Sequence, residues 1–258
     1  MTERTLITNA RLFDSARGTL NDGATIVIED GRFAHVTHEP IDVADAARTI
    51  DARGRVVLPG LIDAHAHVVA VSHDLVALAL QPPSLITAQA KDMLTGMLDR
   101  GFTTVRDAGG ADFGLQEAVE RGFFEGPRLF IAGFPISQTG GHADMRPKGV
   151  RSHAMFCSCA GLGLIGAIAD GVGEVRRAVR EQVRNGANHI KIMAGGGISS
   201  PTDPIDGTQF SLEELRAACE EAEAANLYAM AHAYSPRAVT RAVQAGVRSI
   251  EHGNLIDE

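Results

Sequence analysis

From Thr5 to about Ile50 the apolar positions come in short alternating pieces, TLITNARLF, GATIVIEDGRF and RTIDARGRVV, separated by Asn21-Asp22-Gly23 and Glu29-Asp30-Gly31. A period of two buries one face of a strand, and Asp-Gly pairs accept the positive φ angles of tight hairpins. Residues 1–57 are therefore predicted to form a small β-sandwich.

After Pro59-Gly60 the rhythm changes to short apolar runs, each followed by a polar or glycine-rich loop and then by a stretch of helical period. The predicted strands are GLIDAHAH ending near His67, FTTVRDA ending at Asp107, RLFIAG ending near Gly133, HIKIMA ending near Ala194, LYAMAHA ending near Ala233 and RSIEHG ending at Gly253. GEVRRAVREQVRNGA and SLEELRAACEEAEAAN are amphipathic helices, the second opened by a Ser211-x-x-Glu214 capping box, and a further helix starts at Ser235 with Pro236 in its first turn. Residues from about Pro135 to Gly171 have no clear period and read as a long loop. Alternating strands and helices of this kind predict an α/β fold with a parallel sheet. Without a dinucleotide-type glycine fingerprint after any strand, they suit a (β/α)₈ barrel of the TIM type better than a doubly wound sheet. About six βα units are present, over residues 58–258.

Composition narrows the function. A formal net charge of -8 argues against nucleic acid, whose phosphates select basic surfaces. No apolar run approaches the roughly 20 residues that span a bilayer, and charges occupy MTERTLITNARLFD where a signal peptide needs an apolar stretch, so a cytoplasmic location away from membranes is expected. Cys157, Cys159 and Cys219 are odd in number and not spaced as a disulfide framework, and are read as free thiols.

His65-Ala66-His67 closes a strand, so alternation points both imidazoles to one face, about 7 Å apart along the backbone. His232 and His252 each end another predicted strand on the same rim, where barrel enzymes carry their chemistry. Singly, each is equally a capped, hydrogen-bonded barrel residue; together the four favour a divalent metal. Lys191 lies inside an apolar strand, where an ammonium needs a partner or a changed charge state. A buried salt bridge, an outward-facing position and carboxylation to an anionic oxygen ligand all remain open for it.

VVLPGLIDAHAH, FTTVRDAGG, IKIMAGGG, AMAHAYS and SIEHGN, in that order and spacing, resemble the amidohydrolase superfamily in its imidazolonepropionase-related, zinc dipeptidase-like (prolidase-like) branch. The resemblance implies two divalent ions, zinc being expected, with His65 and His67 on one, His232 and His252 on the other, and carboxylated Lys191 bridging both. It implies a hydroxide shared by the ions that attacks the amide carbon of a dipeptide or N-acyl amino acid. It also implies an aspartate at the end of an eighth strand, which this chain is expected to lack; Asp257 and Glu258 follow His252 too closely to supply it.

His142, in ISQTGGHAD, resembles a residue of the substrate loop, with solvent exposure as its other reading, and Tyr234 one that meets the substrate carboxylate, with rim packing as its alternative. Asp107 reads as an ion pair with Arg106 or a loop cap, His189 as hydrogen-bonded within the core, and Ala194-Gly195-Gly196-Gly197 as a flexible turn or a cradle for an anion. Rival readings are a mononuclear deaminase and an incomplete chain that binds metal or partners without catalysis. Six strands do not close an eight-stranded barrel, so a homo-oligomer or pairing through open edges is expected.

Overall fold

In the computed structural model, which describes residues 4–39, 41–42, 46–150 and 165–257, the chain divides into two units, Met1–Gly60 and Leu61–Glu258. In the first, β1 (Arg4–Asp14) pairs antiparallel with β2 (Thr19–Glu29), and β3 (Arg32–Thr37) returns along β2. Both β4 (Arg48–Asp51) and β5 (Val56–Val57) run parallel to β1. The described strands make one sheet, where a two-layer sandwich is expected. Asp30 and Gly31, with φ of 49° and 72°, form the predicted tight hairpin. Asn21-Asp22-Gly23 instead lies inside β2, where two residues face one between the pairs Ala10↔Ala24 and Leu12↔Asn21. Gly23, at φ 72°, serves a bulge there, and the chain reverses earlier, at Gly18, whose N–H donates to Asp14 O at 2.8 Å.

The second unit carries β6 (Leu61–Ala66), α1 (Leu75–Ala79), α2 (Pro83–Asp99), β7 (Phe102–Asp107), α3 (Phe113–Glu120) and β8 (Arg128–Phe130). Then come β9 (Ile136–Ser137), β10 (Ala167–Ile168), α4 (Val172–Arg184), β11 (Ile190–Met193), α5 (Leu212–Ala224), β12 (Ala229–Ala233), α6 (Pro236–Ala245) and β13 (Ser249–His252). Each of the predicted strand segments contains one of these strands. β9 and β10 fall in the region expected to be loop, paired with each other and, through Ile136↔Ile192, with β11; at two residues each they are too short to leave a period. Cys157 and Cys159 lie outside the described residues, while Cys219 is a free, half-buried thiol raised to about 11 by burial.

Among the described residues of this unit every pairing between named strands is parallel, in the orders β6-β7-β8 and β10-β9-β11-β12-β13, and one isolated antiparallel bridge joins Gly195 to Thr208. Helices pack on both sheets. α2 buries Ile86, Ala90, Leu94 and Met97, one helical stripe, in a core shared with Val105 and Leu129 of β7 and β8. α4, α5 and α6 bury Val175, Val179, Leu215, Ala218, Ala222 and Ala242 against Ile190, Ile192 and Ala231. The capping box of α5 is formed, with Glu214 N donating to Ser211 Oγ at 3.2 Å and Ser211 N to Glu214 Oε2 at 2.6 Å. The sheets join where Asn188 N donates to Ile131 O at 2.8 Å. Because all strands point one way, their C-terminal ends share a rim, and that rim carries the chemistry. Among the described residues no helix is long and apolar enough to cross a membrane.

Candidate active site

The strand ends bring the singled-out residues into contact. His65, the last-but-one residue of β6, and His67 just beyond it lie with ring centroids 5.3 Å apart. His65 lies 4.8 Å from His252 at the end of β13, and His252 lies 4.6 Å from His232 of β12. His142, from the loop after β9, stacks on His232 at 4.0 Å and 16°. Five imidazoles thus form a contiguous row. His142 is 8% exposed, which sets aside its reading as a solvent-exposed loop residue. Tyr234, two residues beyond His232, stacks on His252 at 5.1 Å and 17°.

Acceptors around the rings decide which nitrogens remain free. His65 Nδ1 donates to Glu251 Oε2 at 2.7 Å and His67 Nδ1 to the Gly109 carbonyl at 2.7 Å, which leaves both Nε2 atoms with a lone pair. His232 does the reverse, since its Nε2 donates to the Gly196 carbonyl at 2.9 Å and Nδ1 is left free. Burial lowers the pKa of His67, and it takes His232, with the positive charges around it, down to about 2. His252 falls to about 4, through loss of water around the ring and then through His65 and Lys191. Neutral imidazole, the metal-binding form, is favoured at all three. His252 also holds a φ of 74°, an uncommon backbone conformation for histidine.

Lys191 is 1% exposed, and among the described residues no carboxylate stands within 4.0 Å of its ammonium. Burial lowers it to about 8, with the Glu251 and Asp107 charges opposing and Arg106 assisting. Its charge bears on His67, His232 and His252 alike. The salt-bridge and outward-facing readings of Lys191 therefore do not hold. Among the described residues no three His, Cys, Asp or Glu side chains converge as a ready-made metal site. His65, His67, His232 and His252, gathered on one rim, are side chains of the kind that bind divalent ions.

Glu251 is a buried carboxylate of the site that carried no role in the sequence pattern. It is 6% exposed and accepts from His65, from Arg106 Nη2 at 2.9 Å and from Ser249 Oγ at 2.6 Å. Burial alone would raise its pKa, but the bonds from His65 and Ser249 and the charges of Arg106 and Lys191 hold it at about 2. Its signal in the sequence is the one that exposes Lys191, a charge inside an apolar parallel strand.

Asp107 caps a loop. It accepts backbone N–H bonds from Val68, Gly109 and Ala111, while its neighbour Arg106 turns to Glu251, Tyr228 and Ser249. His189 donates from Nε2 to the Asp107 carbonyl at 3.1 Å, within the core. The glycine turn offers no anion cradle. The N–H groups of Ala194 and Gly195 go to His232 O, that of Gly196 to Gly207 O and that of Gly197 to Asp203 Oδ2. Glycine is required by crowding, because a Cβ on Gly196 would overlap Pro204 O and one on Gly197 the His142 ring.

Parallel strands crossed over by helices define an α/β fold of the TIM-barrel type, and the row of histidines marks a candidate site on its C-terminal rim. The chain belongs to the amidohydrolase family, whose model matches residues 56–258. It is 36% identical over 247 residues to ochratoxinase of Aspergillus niger, a match covering 91% of this chain and 51% of that protein. It is similar to a prolidase crystallised with N-methylphosphonate-L-proline, at 49% identity and a TM-score of 0.92 over 98% of this chain and 62% of the other. A Xaa-Pro dipeptidase with methionine bound in its active site is 30% identical, with a TM-score of 0.86 over 99% of this chain and 63% of the other. The chain spans about half the length of the curated relatives it matches.

Proposed function

We propose that this chain carries the metal-binding rim of a hydrolase that cleaves the amide bond of a dipeptide or N-acyl amino acid. The carrying observation is the row His67, His65, His252, His232, His142 beside buried Lys191. The names of two similar proteins, a prolidase and a Xaa-Pro dipeptidase, support the substrate class.

His65 and His67 would hold one divalent ion through Nε2, His232 through Nδ1 with His252 the other, and carboxylated Lys191 both. Burial favours that modification, because an amine with its pKa lowered to about 8 is partly neutral near physiological pH and so nucleophilic toward carbon dioxide. Bound divalent ions supply a water of pKa near 7 and a Lewis acid for the carbonyl. The protein's own groups do the rest. Glu251 fixes the ring and tautomer of His65, and Gly109 O those of His67. His142 polarises the substrate carbonyl or holds the substrate, and Tyr234 meets the substrate carboxylate. The cavity beside them, lined by His67, Leu75, Pro135, His142, Met145 and Met193, is largely apolar and suits the acyl side chain.

Metal analysis of the purified chain, with mass spectrometry of the Lys191 peptide under non-acidic conditions, tests the site. Two ions per chain and a carboxylated lysine are expected. One ion with unmodified Lys191 would sink the binuclear reading in favour of a mononuclear one. Release of free amine from a panel of N-acyl amino acids and dipeptides tests the reaction.

A further inference from the structure

His142 enters the site from a loop, and both its ring and its backbone N–H are hydrogen-bonded. A second loop, between β11 and α5, holds it. Asp203 Oδ2 lies 3.2 Å from His142 Nδ1 and also accepts from Gly197 N at 2.9 Å and Gln209 Nε2 at 3.1 Å. Gln209 closes the circuit, since its Oε1 accepts from the His142 backbone N–H at 2.9 Å. The Asp203 side chain is 3% exposed and its Oδ1 is buried with no hydrogen-bond partner. A buried carboxylate with one orphaned oxygen is a strong acceptor, and among its partners here His142 is the one that can carry charge. Ser200 Oγ also reaches Nδ1 at 3.2 Å, but a hydroxyl donates or accepts and so cannot choose a tautomer. A carboxylate only accepts. Gly197 adds shape, because the ring occupies the space its Cβ would fill.

We propose that Asp203 is the positioning residue for His142. Its carboxylate keeps the proton on Nδ1 and leaves Nε2 as an acceptor for a substrate N–H in the cavity His142 lines, which selects the substrate-holding role over polarisation of the carbonyl. The proposal rests on the substrate-contacting role given to His142 above. It assigns the β11–α5 loop the task of orienting a group from the loop after β9.

Nitrogen-15 NMR of histidine-labelled full chain at mildly alkaline pH reads the tautomer directly, with the His142 signal assigned by its loss in His142→Gln. The wild-type ring is expected as Nδ1–H with an unprotonated Nε2. Asp203→Asn, which keeps the shape and removes the charge, shifts population to Nε2–H, whereas Ser200→Ala leaves the tautomer unchanged. A wild-type ring protonated on Nε2, or an unchanged tautomer in Asp203→Asn, would overturn the proposal. On an amide substrate, Asp203→Asn lowers kcat/KM about tenfold in the wild-type background and less than about twofold in His142→Gln; independent losses in the two backgrounds would also overturn it. A chain that cleaves no amide counts against the proposed reaction and leaves the tautomer measurement to decide this point.

Discussion

At the scale of single residues, charge inside apolar strands is the most informative feature, and Glu251 shows why. With its folded pKa held at about 2 against an ordinary value of 4.5, it stabilises the fold fully above pH 4.5, and that contribution fades as pH falls toward 2. The difference corresponds to about 3 kcal/mol. The histidines act in a different window: His232, His252 and His189 have folded values of about 2, 4 and 4. Their neutral forms are favoured by folding, so stability without metal begins to fall once pH drops below the ordinary histidine value of 6.5. Urea titrations of the metal-free chain are expected to show stability falling below pH 6.5 and more steeply below pH 4.5, and Glu251→Gln lessens the steepening between pH 4.5 and 2 while sparing the fall that begins at 6.5. An unaltered acid limb in that variant would show that Glu251 is not so held. Four histidines and Lys191 were legible from the sequence because they end or interrupt apolar strands. Glu251 sends the same signal but sits beside a histidine that draws the reading to itself. Asp203 sends none, being 61 residues from the ring it holds.

Elements were legible to the extent that their period is long. Parallel strands buried on both faces read as apolar runs closed by glycine or a polar group, and α4 and α5 as amphipathic stretches. The Asn21-Asp22-Gly23 bulge was misread as a turn because left-handed glycine serves both purposes. For α5 the sequence reading reaches atomic detail, since Ser211 and Glu214 satisfy each other's backbone donors. Ser211→Ala is therefore expected to cost about 1 kcal/mol, seen as a lower denaturation midpoint at unchanged m-value. A changed m-value would mean that the substitution alters more than the cap.

At the scale of the whole molecule, the proposed ligands come from β6, β11, β12 and β13, strands of two sheets, so a bound ion ties together segments far apart in the chain. Metal then stabilises the folded state by mass action. Zinc at about a thousand times its dissociation constant adds about 4 kcal/mol, a Tm rise on the order of 10 °C for a unit of this size. Calorimetric scans with zinc and with a chelator check this, and coincident scans would count against a site spanning the strands. The order of strands across the two sheets was not legible, because it depends on pairings between distant segments that no local pattern encodes. One such distant link is the bond from His232 Nε2 to the Gly196 carbonyl. The loop that supplies this carbonyl also supplies Asp203, so one stretch of chain steadies both the ring proposed to face metal and the ring proposed to face substrate. On the proposed roles, rewriting that loop to change what the protein accepts would retune its metal affinity at the same time, and selection for a new substrate would have to satisfy two demands at once.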